Sequence, residues 1–116
     1  MASVNKVILI GNLGKDPELR YSPLGQAVTS FPVATSERII NPQGNTEDRV
    51  EWHNIVLWGR KAEVASEHLR KGSSIYIDGR LQTRMWQDRD GKERLTTEVV
   101  AKKFQMLGGK GVSVPE

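Results

Sequence analysis

Residues 50–59 read Val50-Glu-Trp-His-Asn-Ile-Val-Leu-Trp-Gly59, and this stretch carries most of the information about the fold. Side chains of a β-strand alternate between its two faces, so Trp52 and Trp58 share one face while Ile55 and Leu57 share the other. The two indoles would stand about 20 Å apart, which suits a run of stacked groups better than one small ligand. The alternative is that both tryptophans belong to the core, because large aromatic side chains are mostly buried.

Length and composition indicate one domain with a mild positive charge. A chain of 116 residues buries roughly two-thirds of the surface that its unfolded form exposes. The net charge is +3; residues 1–51 hold five basic and six acidic side chains, whereas residues 52–116 hold twelve and eight. The positive excess therefore begins at the tryptophan strand, as expected of a nucleic-acid-binding protein but not specific to one.

Two classes of feature are missing from the sequence. It contains no cysteine, which excludes disulfides, thiolate nucleophiles and cysteine metal sites. The only apolar run near the N-terminus, residues 7–10, is too short for a signal peptide or a membrane span. We therefore expect a cytoplasmic protein without a membrane partner.

A second informative stretch runs from Ser74 to Trp86 and has the alternation of a long strand. One predicted face is mainly apolar and holds Ile75, Ile77, Gly79, Leu81, Thr83 and Met85. The other combines aromatic and basic side chains and holds Tyr76, Asp78, Arg80, Gln82, Arg84 and Trp86. A solvated face would account for the arginines, but aromatic rings among cations are typical of sequence-tolerant binding to single-stranded nucleic acid.

The remaining pattern predicts an all-β domain with one helix. Strands are expected at residues 3–13, 27–35, 50–58, 74–86 and 95–107, with a possible short strand at 18–21 and a helix at 61–71. Residues 37–48 are polar and too long for a tight hairpin, so they are either disordered or functional, although their ends can pair as a ribbon. Five strands with a helix between strands 3 and 4 match the OB-fold, a five-stranded Greek-key barrel, over residues 1–107. Residues 108–116 are glycine-rich and are predicted to be a flexible C-terminal end.

Several blocks closely resemble those of bacterial single-stranded DNA-binding proteins, in the same order and at the same spacings. They are Asn5-Lys-Val-Ile-Leu-Ile-Gly-Asn-Leu-Gly-Lys-Asp-Pro-Glu18, Ala34-Thr-Ser-Glu37, Glu51-Trp-His53, Ala62-Glu-Val-Ala-Ser-Glu-His-Leu-Arg-Lys-Gly72, Thr83-Arg-Met-Trp86 and Thr96-Thr-Glu-Val99. The resemblance implies a homotetramer that wraps single-stranded DNA without sequence preference during replication, recombination and repair.

The resemblance also suggests roles for individual residues. Trp52 and Trp86 fall on stacking positions of the family, Trp58 stands where the family has an aromatic residue, and His53 falls near a subunit contact. As candidate phosphate contacts we take the basic residues Lys6, Arg20, Arg60, Lys71 and Arg84.

The chain departs from the family pattern in three places. Ile39 replaces a common tryptophan, and Asn54 replaces a common arginine or lysine, so the affinity or the path of the DNA is expected to differ. The family usually continues into a linker with an acidic tip, whereas this sequence stops at Glu116. Replication and repair proteins are therefore expected as partners only if such a tail exists beyond this chain.

An enzyme is not expected, and neither is a cofactor or a metal. The sequence lacks a Gly-x-x-x-x-Gly-Lys-Ser/Thr phosphate loop and a His-Glu-x-x-His motif, and His53 and His68 have no evident nucleophile as a partner. The carboxylates of Asp88, Asp90 and Glu93 are better explained by a solvated hairpin turn than by a cation site. The closest alternative is a related OB-fold protein, either a primosomal factor or an RNA-binding protein.

Overall fold

Six strands and one helix make up residues 1–107, which are the residues that the computed structural model describes. The elements are β1 (Val7–Leu13), β2 (Glu18–Tyr21), β3 (Ala27–Ile40), β4 (Thr46–Trp58), α1 (Arg60–His68), β5 (Ser74–Gln87) and β6 (Glu93–Leu107). The strands form one sheet in the order β1-β5-β6-β4-β3-β2, and an additional pairing between β1 and β3 closes it into a barrel. The predicted five-stranded OB barrel is confirmed: β2 is a short addition at the edge of β3, and the helix separates the third and fourth barrel strands. The predicted flexible end, residues 108–116, lies outside the described residues.

Closure of the barrel depends on a glycine in β1. This strand pairs with β5 along most of its length and then with β3, where Asn12 lies opposite Ala34. A Cβ atom on Gly11 would collide with the Ala34 carbonyl oxygen, which is rigid backbone. Gly11 is therefore the residue that lets β1 cross close to β3.

The core fills the barrel and the space beneath the helix. On β4, Ile55 and Leu57 are fully buried, as the period-two pattern predicts. Helix α1 adds Ala62 and Ala65, which are also fully buried. The helix ends three residues earlier than predicted, because the chain turns into an extended conformation at Leu69 and buries that side chain instead.

Two long hairpins project from the barrel as antiparallel ribbons. The β3–β4 ribbon is paired out to Ile40 and Thr46, so the polar segment 37–48 is ordered strand with a short turn. The β5–β6 ribbon is paired out to Gln87 and Glu93. Both strand pairs continue well past the core, and each ribbon has two solvent-facing sides.

The two ribbons end in turns with the same hydrogen bonds. The side-chain Oδ1 of Asn41 accepts from the amides of Gln43 and Asn45, and Oδ1 of Asp88 accepts from the amides of Asp90 and Lys92. In each turn the fourth residue is a glycine with positive φ, 85° at residue 44 and 79° at residue 91. An acceptor side chain followed three residues later by glycine therefore sets the turn in both ribbons.

The expected alternation along β5 holds only inside the barrel. Ile75 and Ile77 are fully buried, but Leu81 and Met85 on the same predicted face are about half or more exposed. The reason is that none of the described residues, 1–107, packs over this side of the β5–β6 ribbon once it leaves the barrel. Within residues 1–107, no helix is long and apolar enough to cross a membrane.

Candidate nucleic-acid interface

An open groove runs across the barrel beside the base of the β5–β6 ribbon. Trp52 lines one half of it and Trp58 the other, so both ends of the tryptophan strand contribute. Four residues line both halves and make the groove continuous: Glu18, Ser30, Arg84 and Glu98. The groove is thus a surface path between two indoles rather than an enclosed pocket.

The three tryptophans are surface residues, which decides against the core interpretation. Trp52 is 59% exposed, Trp58 42% and Trp86 41%. On the opposite face of the same strand, Ile55 and Leu57 have no exposed surface. Large aromatic residues left this open, next to a filled core, are available to bind a ligand.

Each indole at the ribbon side of the groove is held by a neighbouring element. The edge of the Trp52 ring packs on the backbone of Gly14, where a Cβ atom would lie 2.5 Å from Cζ3 of the ring. Trp86 donates a 2.7 Å hydrogen bond from Nε1 to Oγ1 of Thr96, a residue that lines the Trp52 half of the groove. The structure therefore brings Trp86 next to the groove, although it is 28 positions from Trp58 in sequence.

Two of the five candidate phosphate-binding residues lie in the groove, and both are paired with carboxylates. Nε of Arg84 donates to Oε2 of Glu98 at 3.1 Å, and a terminal nitrogen of Arg20 donates to Oε2 of Glu18 at 2.9 Å. Each guanidinium keeps donors that these bonds do not use, since an arginine has five. About half of the Arg84 side chain is exposed, so its remaining donors can reach a ligand in the groove.

The other three candidates lie outside the groove. Lys71 is nearest, because its backbone amide donates at 2.7 Å to Asp16, which lines the groove. Lys6 is 3.2 Å from Asp78. Arg60 begins the helix and lines a separate cleft.

The structure adds groove residues that the sequence analysis did not select. Lys15 is exposed and lines the groove beside Trp52, and within residues 1–107 its ammonium forms no ion pair. Its position follows from the crossing of β1 and β3, which strand periodicity does not reveal. Glu98 lies at the groove centre and is 91% buried. Its neighbours in sequence indicate an ordinary strand and do not predict a buried carboxylate there.

The positions that depart from the family pattern have different surroundings. Asn54 lines the groove beside Trp52, so the missing cation would have stood in the groove itself. Ile39 is half-buried in the β3–β4 ribbon opposite Glu47, beyond the groove. His53 is half-buried at the base of that ribbon, where Nε2 lies 2.9 Å from Oγ1 of Thr35.

The carboxylate of Asp88 serves the β5–β6 turn itself. A side-chain hydrogen bond from Arg94 is the main cause that lowers the pKa of Asp88, and the amides of Lys92 and Asp90 contribute in the same direction. No group of three or more histidine or acidic residues that is suited to a metal ion occurs in the described range.

An OB barrel with exposed aromatic rings and arginines along an open groove defines a class of proteins that bind single-stranded nucleic acid. Comparison with known families narrows this class: the model of the single-strand binding protein family matches residues 4–107. The chain belongs to that family. Its members bind single-stranded DNA and are not enzymes, so the prediction of single-stranded DNA binding and the prediction that the protein is not an enzyme are confirmed.

Solved structures agree with the family assignment. A Plasmodium falciparum SSB in complex with ssDNA is 27% identical, with a TM-score of 0.84 over 93% of this chain and 98% of that chain. A deletion mutant of the single-stranded DNA binding protein from Thermus aquaticus is 32% identical, with a TM-score of 0.81 over 96% of this chain. The match spans 54% of the Thermus aquaticus chain.

Proposed function

We propose that the protein binds single-stranded DNA without sequence preference, by stacking bases on Trp52, Trp58 and Trp86. The exposure of all three indoles is the observation that carries the proposal. Every base has a π-face, so stacking contributes about 1–3 kcal/mol per base whatever the sequence is. Indoles at both ends of a continuous groove suit an extended strand better than a compact ligand.

The phosphates are held by cations along the same path. Arg84 and Arg20 act within the groove, and Lys15 adds an ammonium beside Trp52. Lys71 lies next to the groove at Asp16 and meets the strand as it leaves. Because these contacts address only the backbone, they add affinity that falls with salt and carries no sequence information.

Lys6 and Arg60 contribute only if the strand wraps beyond the groove. Each has a carboxylate neighbour, Asp78 for Lys6 and Glu63 for Arg60, so a phosphate must replace or share that partner. Arg84 also has a carboxylate partner, but it lines the groove, whereas Lys6 and Arg60 do not, so we expect smaller effects from these two than from Arg84.

The functional unit is a homotetramer, around which the DNA wraps. A tetramer of two-fold symmetry needs two different self-complementary faces. The domain has two exposed apolar faces: Ile8 and Ile10 on β1, and Leu81, Met85 and Leu95 on the side of the β5–β6 ribbon away from Trp86. His53, at the base of the other ribbon, is a further candidate contact between subunits.

A protein that covers single strands regardless of sequence protects them wherever replication, recombination or repair exposes them. The test is direct titration with poly-dT, single-stranded DNA of mixed sequence, duplex DNA and RNA, all of equal length and at one salt concentration. We expect clear preference for the two single-stranded DNAs. Stronger binding to RNA would instead support the related RNA-binding function, and binding restricted to one sequence would contradict the proposal.

A further inference from the structure

Two side chains of β5, Trp86 and Arg84, form hydrogen bonds across the β5–β6 ribbon to residues of β6 that are not their direct register partners. In the strand register Trp86 lies opposite Arg94, yet its Nε1 bonds to Thr96, two residues closer to the barrel. Arg84 lies opposite Thr96 and in the same way bonds to Glu98, again two residues closer to the barrel. Both side chains therefore lean from the ribbon towards the groove.

We propose that Thr96 is a positioning residue for DNA binding, because its hydroxyl fixes the Trp86 indole where a base can stack. This inference rests on the proposed stacking role of Trp86. The bond occupies the only polar group of the indole and leaves both π-faces free of hydrogen bonding. The support therefore uses a group that stacking does not need.

The orientation of the Trp86 side chain matters for DNA binding, because an unconstrained indole on the surface has several rotamers. Within the described residues, the ribbon has no core beneath it at this point, as the exposed Met85 and Leu95 on its other side show. Packing alone is thus a weak constraint on the orientation of Trp86. The 2.7 Å hydrogen bond to Thr96 supplies a stronger constraint. Ordering such a side chain only on binding would weaken the affinity by about two- to tenfold.

The same ribbon contains a matched control. Thr97 is the next residue, its side chain lies on the opposite face, and its hydroxyl shares a 2.9 Å hydrogen bond with Thr83 across the strands. Thr97→Val removes one threonine hydroxyl and one cross-strand hydrogen bond, as Thr96→Val does. Of these two threonines, only Thr96 is hydrogen-bonded to an indole.

The experiment compares Thr96→Val, Thr96→Ser and Thr97→Val of the full chain in poly-dT titrations, each in the wild-type and the Trp86→Phe background. Phenylalanine still stacks but has no N–H to donate. We expect Thr96→Val to weaken binding about two- to tenfold in the wild-type background and to have no effect beside Trp86→Phe. Thr96→Ser should retain wild-type affinity. Thr97→Val should do so as well, and because Thr97 lies on the face proposed as a subunit contact, it serves as the control with its assembly state checked by sedimentation.

A second readout follows the indole directly. With Trp52 and Trp58 replaced by phenylalanine, Trp86 is the only tryptophan left and can be excited selectively over Tyr21 and Tyr76. Thr96→Val should lower the anisotropy of its emission, while Thr97→Val leaves it unchanged. Thr96→Ala serves for the same measurements if the valine variant does not fold.

The positioning role is overturned if Thr96→Val binds with wild-type affinity, or if it loses as much affinity in the Trp86→Phe background. It is also overturned if Thr97→Val with wild-type assembly loses as much affinity as Thr96→Val. Trp86→Ala separates the proposed stacking role of Trp86 from the proposed positioning role of Thr96. If Trp86→Ala weakens binding while Thr96→Val does not, stacking stands and the positioning role fails. If Trp86→Ala binds normally, both fail.

Discussion

Replacing Gly14 with alanine tests whether the orientation of Trp52 matters for binding. A Cβ atom at position 14 would lie 2.5 Å from Cζ3 and 2.8 Å from Cη2 of the ring, whereas ordinary contact begins near 3.4 Å. The ring must therefore retreat by about 1 Å. It can do so at little cost to the fold, because Trp52 is 59% exposed and can swing towards solvent.

The loss of poly-dT affinity expected from Gly14→Ala lies between zero and the whole stacking contribution of Trp52. Stacking is worth about 1–3 kcal/mol per base, which corresponds to about 5- to 150-fold in affinity. Trp52→Ala sets the upper limit, and we expect Gly14→Ala to weaken poly-dT binding by about tenfold. The free energy of unfolding should fall by less than about 1 kcal/mol.

A double-mutant cycle decides whether the effect passes through the indole. In a Trp52→Ala background the added methyl group meets no indole, and Cγ of Pro32 lies 3.4 Å away, which is close to ordinary contact. Gly14→Ala should then change the affinity by no more than about 0.3–0.5 kcal/mol. Gly11→Ala is the structural contrast, because its methyl group meets rigid backbone and should destabilise the fold. Equal losses from Gly14→Ala in both backgrounds would refute the reasoning.

Three further predictions concern the core, the groove cation and the ribbon turn. Leu57→Ala should lower the free energy of unfolding by about 2–5 kcal/mol in denaturant titrations, because the side chain is fully buried; a loss below 1 kcal/mol would contradict the assigned core. Arg84→Gln should reduce the slope of log K against log salt by up to about one, and Lys6→Gln should reduce it less; the reverse order would contradict the assigned groove. Because the Asp88 pKa is lowered in the folded protein, its contribution to stability is present above the unfolded-state pKa and is lost as pH falls through the folded-state pKa. Hydrogen exchange at the Lys92 amide should therefore show that protection falls in acid, and Asp88→Asn should remove that pH dependence.

The period-two pattern was sufficient to predict the two faces of the tryptophan strand. Ile55 and Leu57 are buried and Trp52 and Trp58 are exposed, because β4 has the filled barrel on one side and the open groove on the other. The same reasoning was wrong for Leu81, because alternation records polarity and does not show whether anything covers the strand. Burial ends where the ribbon leaves the barrel.

The assembly of the groove lies beyond what periodicity can predict. Trp52 and Arg84 come together only because β6 pairs with β4 on one side and with β5 on the other. Lys15 reaches the groove because β1 turns across β3. Such contacts depend on how the barrel closes. The order of the elements suggests a closed barrel, but it does not define the register in which the strands pair.

Tryptophan fluorescence during titration with poly-dT tests the central claim most directly, because all three indoles of the chain are assigned to the DNA-binding surface. Bases stacked on Trp52, Trp58 and Trp86 replace water on the rings, so most of the intrinsic fluorescence should be quenched as binding saturates. Single tryptophan-to-phenylalanine variants should each remove part of that change. Tight binding of poly-dT with unchanged tryptophan emission would contradict the account.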